Sequence, residues 1–254
     1  MSTTTKIALV TGGSRGLGKD MAINLAKKGI DVLFTYNSNE AAAAETIKAI
    51  EAAGQQAVAL KLNMSDLKSL EPFVKQVAAT LQSTWKTNAF DFLINNAGIG
   101  AGVPFENVTE EFFDEFLNVH FKGIYFLTQK LVPYINKGGR IINISTGTTR
   151  FTNPGYSVYA SMKGAMEVLT KYMARELGAK GISANIVAPG PIVTDFNNAT
   201  IRNNPQMQER LSALSPLNRV GEAEDIGPVV AFLCTNDAAW INGQRIEVAG
   251  GINV

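Results

Sequence analysis

The sequence contains one cysteine, Cys234, and one histidine, His120, in 254 residues. A single thiol excludes an internal disulfide, and a reducing cytoplasm is the default compartment. A lone histidine excludes zinc sites built from several imidazoles, and no cysteine cluster replaces them, so no metal is expected. Any hydrolase triad would have to use His120. Charge is also sparse: 18% of residues are charged and the formal net charge is +1. That balance leaves no electrostatic footprint for nucleic acid or an anionic membrane. No apolar run approaches the roughly 20 residues a spanning helix needs. The start, MSTTTKIALV, has no basic region followed by an apolar stretch and cleavage site, so it does not read as a secretory signal.

What the chain does have is apolar residues, 46% of the total, enough for one large core. They fall in short β-rich runs at 6–10, 31–35, 56–60, 90–94, 140–145, 182–188 and 244–249. Several runs are almost continuously apolar, as strands covered on both faces must be. Helical stretches lie between them: 16–28, 40–53, 66–81, 109–135, opening on a TEEF capping pattern, and 156–179. Gly29, Gly54 and Gly181 fall where helices should end in a left-handed cap. The alternation predicts a parallel sheet with right-handed crossovers. Residues 191–221 break the rhythm with a polar, proline-containing segment, read as a lid or binding loop, or else as a solvated surface excursion.

After the first strand comes Thr11-Gly12-Gly13-Ser14-Arg15-Gly16-Leu17-Gly18. Glycines let a backbone turn sharply and approach a pyrophosphate, and a helix N-terminus offers free N–H groups. An NAD site usually places a carboxylate at the end of the second strand, to hold the ribose 2′-OH. Here that end reads Phe34-Thr35-Tyr36-Asn37-Ser38, without an acid, while Arg15 can face a 2′-phosphate. NADP(H) is therefore expected over NAD(H).

The stretch YSVYASMK, residues 156–163, holds two tyrosines before one lysine. Residues four apart share a helix face, so Lys163 can lie over Tyr159, and a nearby ammonium favours a phenolate. Tyr156 is about 10 Å from Lys163 along the axis and is less able to be tuned. Tyr159 is the acid/base candidate.

In order and spacing, TGGSRGLG, NNAG (95–98), YASMK and PGPIVT (189–194) resemble the short-chain dehydrogenase/reductase family. The resemblance runs to INGQRIEVAGG near the C-terminus and covers essentially the whole chain. It implies one domain over 1–254, a Rossmann-like three-layer α/β/α fold with seven parallel strands ordered 3-2-1-4-5-6-7. It implies an NADP(H)-dependent oxidoreductase of the carbonyl/alcohol class acting on a small molecule. By resemblance, Tyr159 moves the proton, and Lys163 lowers its pKa and holds the nicotinamide ribose. Gly12, Ser14, Arg15, Gly16, Leu17 and Gly18 form the phosphate turn, with Asn37 and Ser38 beside it. Asn63 and Met64 flank the adenine. Asn95, Ala97 and Gly98 stabilise the central sheet and line the adenosine ribose. Pro189, Gly190, Ile192 and Thr194 hold the nicotinamide. A homotetramer packed through helices 109–135 and 156–179 is also implied.

Two positions depart from the family pattern. The expected serine, thirteen residues before Tyr159, is Thr146, with Ser145 next to it. Neighbouring strand residues point to opposite faces, so only one can meet the substrate; spacing favours Thr146, and a bulge would favour Ser145. The slot of a family asparagine that helps hold a proton-relaying water is taken by His120 in HFKGIYFLTQ. Its imidazole either takes over the relay or only fills space. Within the enzyme class, 3-oxoacyl-thioester reduction on an acyl carrier protein is one alternative, with Lys137 and Lys180 as the basic residues for an acidic carrier. A non-catalytic nucleotide sensor and a Ser145/His120 hydrolase are others; the second lacks a nucleophile-elbow sequence.

Overall fold

The computed structural model describes residues 5–252. Strands and helices alternate as β1 (Lys6–Val10), α1 (Gly16–Lys27), β2 (Ile30–Tyr36), α2 (Glu40–Ala52), β3 (Ala57–Lys61), α3 (Leu70–Trp85) and β4 (Phe90–Asn95). They continue as α4 (Glu110–Leu117), α5 (Gly123–Leu131), β5 (Ile135–Ile144), α6 (Ser157–Leu177), β6 (Ser183–Pro189), α7 (Phe196–Ala199), α8 (Pro205–Ala213), α9 (Gly227–Leu233) and β7 (Arg245–Val248). One sheet contains all seven strands in the order β3-β2-β1-β4-β5-β6-β7, every pairing parallel. The strand order reverses between β1 and β4, which opens a crevice at their C-terminal ends.

Alternation of side chains builds the two outer layers. Ile7, Leu9, Leu33, Leu93 and Ile141 enter a core shared with α3, α5 and α6. Ala8, Val10, Val32, Phe34, Ile94 and Ile142 enter a second core shared with α1, α2 and α9. Each central strand is thus buried on both sides, which is why the strands read as unbroken apolar runs. Gly29, Gly54 and Gly181 take left-handed φ of 78°, 85° and 74° at helix ends, as expected.

The long helix expected over 109–135 is not continuous. Thr109 caps α4 by accepting a hydrogen bond from the Phe112 N–H, as the TEEF pattern predicts. After Leu117 the backbone widens into a π-helical turn, Asn118–Lys122, before α5 resumes. A 3-10 turn, Val132–Tyr134, then ends the helix, and Ile135 already belongs to β5. β5 starts earlier than the apolar run because residues 136–139 bulge out of the β4 pairing between Ile135 and Arg140.

The segment over 191–221 contains α7 and α8. In α7, Asn197, Asn198 and Ala199 have φ of 53°, 55° and 55°. Left-handed backbone costs roughly 1–2 kcal/mol per non-glycine residue, less for asparagine.

Candidate active site

The first β–α turn is shaped by contacts that no side chain could share. A Cβ on Gly18 would lie 2.0 Å from the Gly12 carbonyl oxygen, and one on Gly13 would lie 2.7 Å from the Phe34 Cβ. Hydrogen bonds pin the turn from both sides. Thr35 Oγ1 accepts from the Gly12 N–H at 2.9 Å. Asn96 Nδ2 donates to the carbonyls of Thr11 and Gly12 at 3.0 and 3.1 Å, and Thr11 Oγ1 accepts from the Asn96 and Ala97 N–H groups. Ser14 is buried, its carbonyl accepting from Thr46 Oγ1. Arg15, just ahead of α1, is exposed, and no carboxylate stands among residues 34–38. Leu17 packs partly into the α1 core, while Asn37 and Ser38 are exposed beside the turn. Thr194 is buried against Gly16, across the crevice mouth. Gly190 abuts Ala249 and Ile192 bridges to Gly221, so the stretch after Pro189 is held at its root. These features fit a dinucleotide: close backbone, free N–H groups and a lone guanidinium.

Two of the expected nucleotide-binding residues turn their side chains away from this surface. Asn95 is 1% exposed and donates to Thr128 Oγ1 at 3.0 Å and Asn143 Oδ1 at 2.8 Å. Its side chain ties β4 to α5 and β5, the sheet-stabilising part of its expected role; the asparagine that pins the glycine turn is Asn96. The Met64 side chain is buried in the α3/α5 core, so at that position only backbone can flank an adenine. Asn63 is exposed and accepts from the Ser65 N–H and hydroxyl.

Tyr159 and Lys163 lie on successive turns of α6, at the C-terminal end of β5. Lys163 Nζ stands 5.8 Å from the Tyr159 ring centre and donates to the Ile144 carbonyl at 2.7 Å. The Thr146 hydroxyl stands close enough to the Tyr159 phenol to favour its ionised form. Ser145 points the other way, donating to Glu167 Oε1 at 2.6 Å. The alternation expected at this strand end therefore gives Thr146 to the site and Ser145 to the scaffold. His120 is fully buried within the π turn, its ring edge-on to Tyr159 at 5.1 Å. Its Nε2 is 2.8 Å from the Ile99 carbonyl, and its Nδ1 has no partner among the described residues. Gly98 touches the same ring: a Cβ there would lie 2.9 Å from His120 Cε1. His120 and Ser145 have separate partners, so no hydrolase dyad forms.

Burial dominates the electrostatics. It pushes the Tyr159 phenol well above its ordinary value of 10, against the opposing influence of the Thr146 hydroxyl. Enclosure therefore outweighs the lowering expected from Lys163, and the lysine is itself desolvated and pushed down to about 8, still an ammonium at neutral pH. Burial, then the Lys163 charge, holds His120 well below its usual 6.5, so the imidazole is neutral. Nε2 also lies 3.3 Å from the Ile99 N–H; donation to the carbonyl, the shorter of the two contacts, leaves Nδ1 as an acceptor.

Sequence reasoning missed the scaffold under Thr146. Glu167 accepts from Ser145, from Thr149 Oγ1 at 2.8 Å and from Arg245 Nε at 2.8 Å, and Arg245 also reaches the Thr146 carbonyl at 3.3 Å. The signal was Glu167, four residues after Lys163 and so on its face of α6. Lys137 and Lys180 lie where chain enters β5 and β6, the edge opposite the crevice, so neither can greet a carrier at the site.

A family profile described as enoyl-(acyl carrier protein) reductase matches residues 12–253. The 3-oxoacyl-(acyl-carrier-protein) reductase FabG of Staphylococcus aureus is 35% identical over 250 residues, 98% of each chain. The promiscuous reductase LugOII, solved as the catalyst of keto-reduction at C1 during lugdunomycin biosynthesis, superposes with a TM-score of 0.93 at 37% identity, covering 98% of this chain and 99% of that one. The angucycline C-6 ketoreductase LanV, solved with bound NADP, gives 0.92 at 36% identity, covering 98% and 96%.

Proposed function

This chain belongs to the short-chain dehydrogenase/reductase family, and from that premise we propose that it is an NADPH-dependent ketone reductase with Tyr159 as its acid. The observation that carries the reading is the meeting of Tyr159, Lys163 and Thr146 at the crevice end of β5. NADPH supplies the hydride, and Arg15 takes its 2′-phosphate. Gly12 to Gly18 receive the pyrophosphate, and Thr194 and Ile192 border the nicotinamide.

The Thr146 hydroxyl donates to the substrate carbonyl and draws charge onto its oxygen. Tyr159 donates its proton to the same oxygen as negative charge develops. A phenol kept neutral by burial is fully loaded for that task at neutral pH. Lys163 is still protonated there, with a value of about 8, and its ammonium stabilises the phenolate left behind. His120, neutral and tethered to Ile99, offers Nδ1 to a water on the path that reprotonates Lys163. A non-catalytic sensor has no use for this constellation.

An aryl or apolar ketone suits the site better than a carrier-borne thioester. Rings of Tyr156 and Phe196 stand 6.4 and 6.2 Å from the Tyr159 ring, and Lys137 and Lys180 lie at the far edge. Exposed Phe113, Tyr125, Phe126, Val168 and Tyr172 on α4 to α6 support a homotetramer through these helices. No helix among the described residues is long and apolar enough to cross a membrane. The test is NADPH oxidation over a panel of ketones and acetoacetyl thioesters. Tyr159→Phe should lower kcat by about 10²-fold or more; full-speed reduction by that variant overturns the reading.

A further inference from the structure

Tyr156 is not needed by the chemistry above, yet it is built into the same pocket. Its ring packs edge-on to Tyr159 at 6.4 Å, one turn of α6 before it, whereas Lys163 stands one turn after. Gly102 lies against that ring: a Cβ there would sit 3.4 Å from Tyr156 Cε2, an ordinary packing contact. The Tyr156 phenol oxygen lies 2.8 Å from Asn197 Nδ2. Asn197 belongs to the left-handed turn of α7, next to Phe196, and both press on Gly100, whose Cβ would lie 2.5 Å from Phe196 Cε1 and 3.0 Å from Asn197 Cβ. Lid, catalytic helix and the loop after β4 therefore converge on one polar pair.

The pair has hydrogens to spare. The phenol has one O–H, and the amide has two N–H groups and one acceptor. They share a single bond, and neither side chain has another partner among the described residues. If the amide donates, the phenol hydrogen is left over; if the amide is turned over and accepts, both amide hydrogens are left over. Either way a donor stands beside the reacting phenol with nothing in the protein to bond.

We propose that Tyr156 and Asn197 form a second polar anchor for the substrate, so that the preferred ketone bears a second oxygen close to the reacting carbonyl. A β-dicarbonyl chain and an aryl ketone with a peri-hydroxyl share that chemistry. The inference rests on the ketone-reductase reading and adds a substrate requirement to it.

Two matched pairs test it: an acetoacetate ester against the methyl ketone of equal length, and peri-hydroxy-α-tetralone against α-tetralone. Tyr156→Phe and Asn197→Ala should each lower the kcat/KM ratio within a pair about tenfold, chiefly through KM, the equivalent of about 1.4 kcal/mol. The double variant should lose little more than either single one, because the two groups act as one anchor. An effect confined to one pair assigns the oxygen to the chain or to the ring. Equal losses on both members of each pair, or none, overturn the anchor. Calorimetric binding of the alcohol products in the presence of NADP⁺ repeats the comparison without turnover. If no ketone is reduced, the reductase reading fails, and the binding ratio still decides the anchor.

Discussion

Replacing Lys163 with methionine should separate the cost of burying its charge from the use made of it. Lys163 is 3% exposed, and among the described residues no carboxylate pairs with it and its one hydrogen bond goes to the Ile144 carbonyl. Burial lowers its value from 10.5 to about 8, a displacement of roughly 3 kcal/mol at about 1.4 kcal/mol per pH unit. Below pH 8 both folded and unfolded chains hold the proton, so the full penalty is present. Between about 8 and 10.5 the folded chain releases the proton while the unfolded chain keeps it, and stability rises with pH. Above 10.5 both are neutral and the penalty is gone. Methionine removes the charge but leaves the Ile144 carbonyl unpaired, at a cost of about 1–3 kcal/mol, so the net gain at neutral pH is about 0 to 2 kcal/mol. The pH dependence is free of that offset. Urea unfolding of both proteins without nucleotide should show the wild type gaining roughly 2–3 kcal/mol on Lys163→Met between pH 7 and pH 10. A difference that stays constant across that range refutes a desolvated ammonium. The variant should also be inactive, a case of stability gained where function is removed.

Other substitutions discriminate within the site. Thr146→Val should lower kcat by roughly 10²-fold, as loss of a donor to a developing oxyanion does, whereas Ser145→Ala should change kcat little and cost about 1 kcal/mol of stability; equal kinetic losses would reverse the assignment. Arg15→Ala should raise KM for NADPH by about tenfold or more and leave NADH kinetics nearly untouched. His120→Leu should slow turnover and reshape its pH profile while His120→Asn retains both, since only the first removes a polar partner for water. If the two variants behave alike, His120 is packing alone.

Most of the sheet was legible because its strands are buried on both faces and must be apolar throughout. The glycine turn after β1 and the nearness of Tyr159 to Lys163 were legible because their spacing is local: a turn after a strand, and four residues on a helix. What could not be read was set by three-dimensional surroundings. NNAG does not say which asparagine faces the sheet, and the structure gives Asn95 inward and Asn96 to the turn. The direction of the Tyr159 perturbation depended on how tightly the phenol is enclosed, which spacing does not reveal. The π turn was invisible because NVHFK, residues 118–122, holds neither glycine nor proline to interrupt the helical stretch.

That turn makes the site sensitive to chain length as well as to residue type. It inserts the equivalent of one extra residue between α4, whose Phe116 stacks beside His120, and α5, whose Leu127 and Leu131 fill the sheet core. Each half keeps its own angular phase because of that insertion. Deleting any single residue of Asn118–Lys122 would rewind the two halves into one helix and rotate one against the other by about 100°. Losing one residue would turn either the core or the imidazole away.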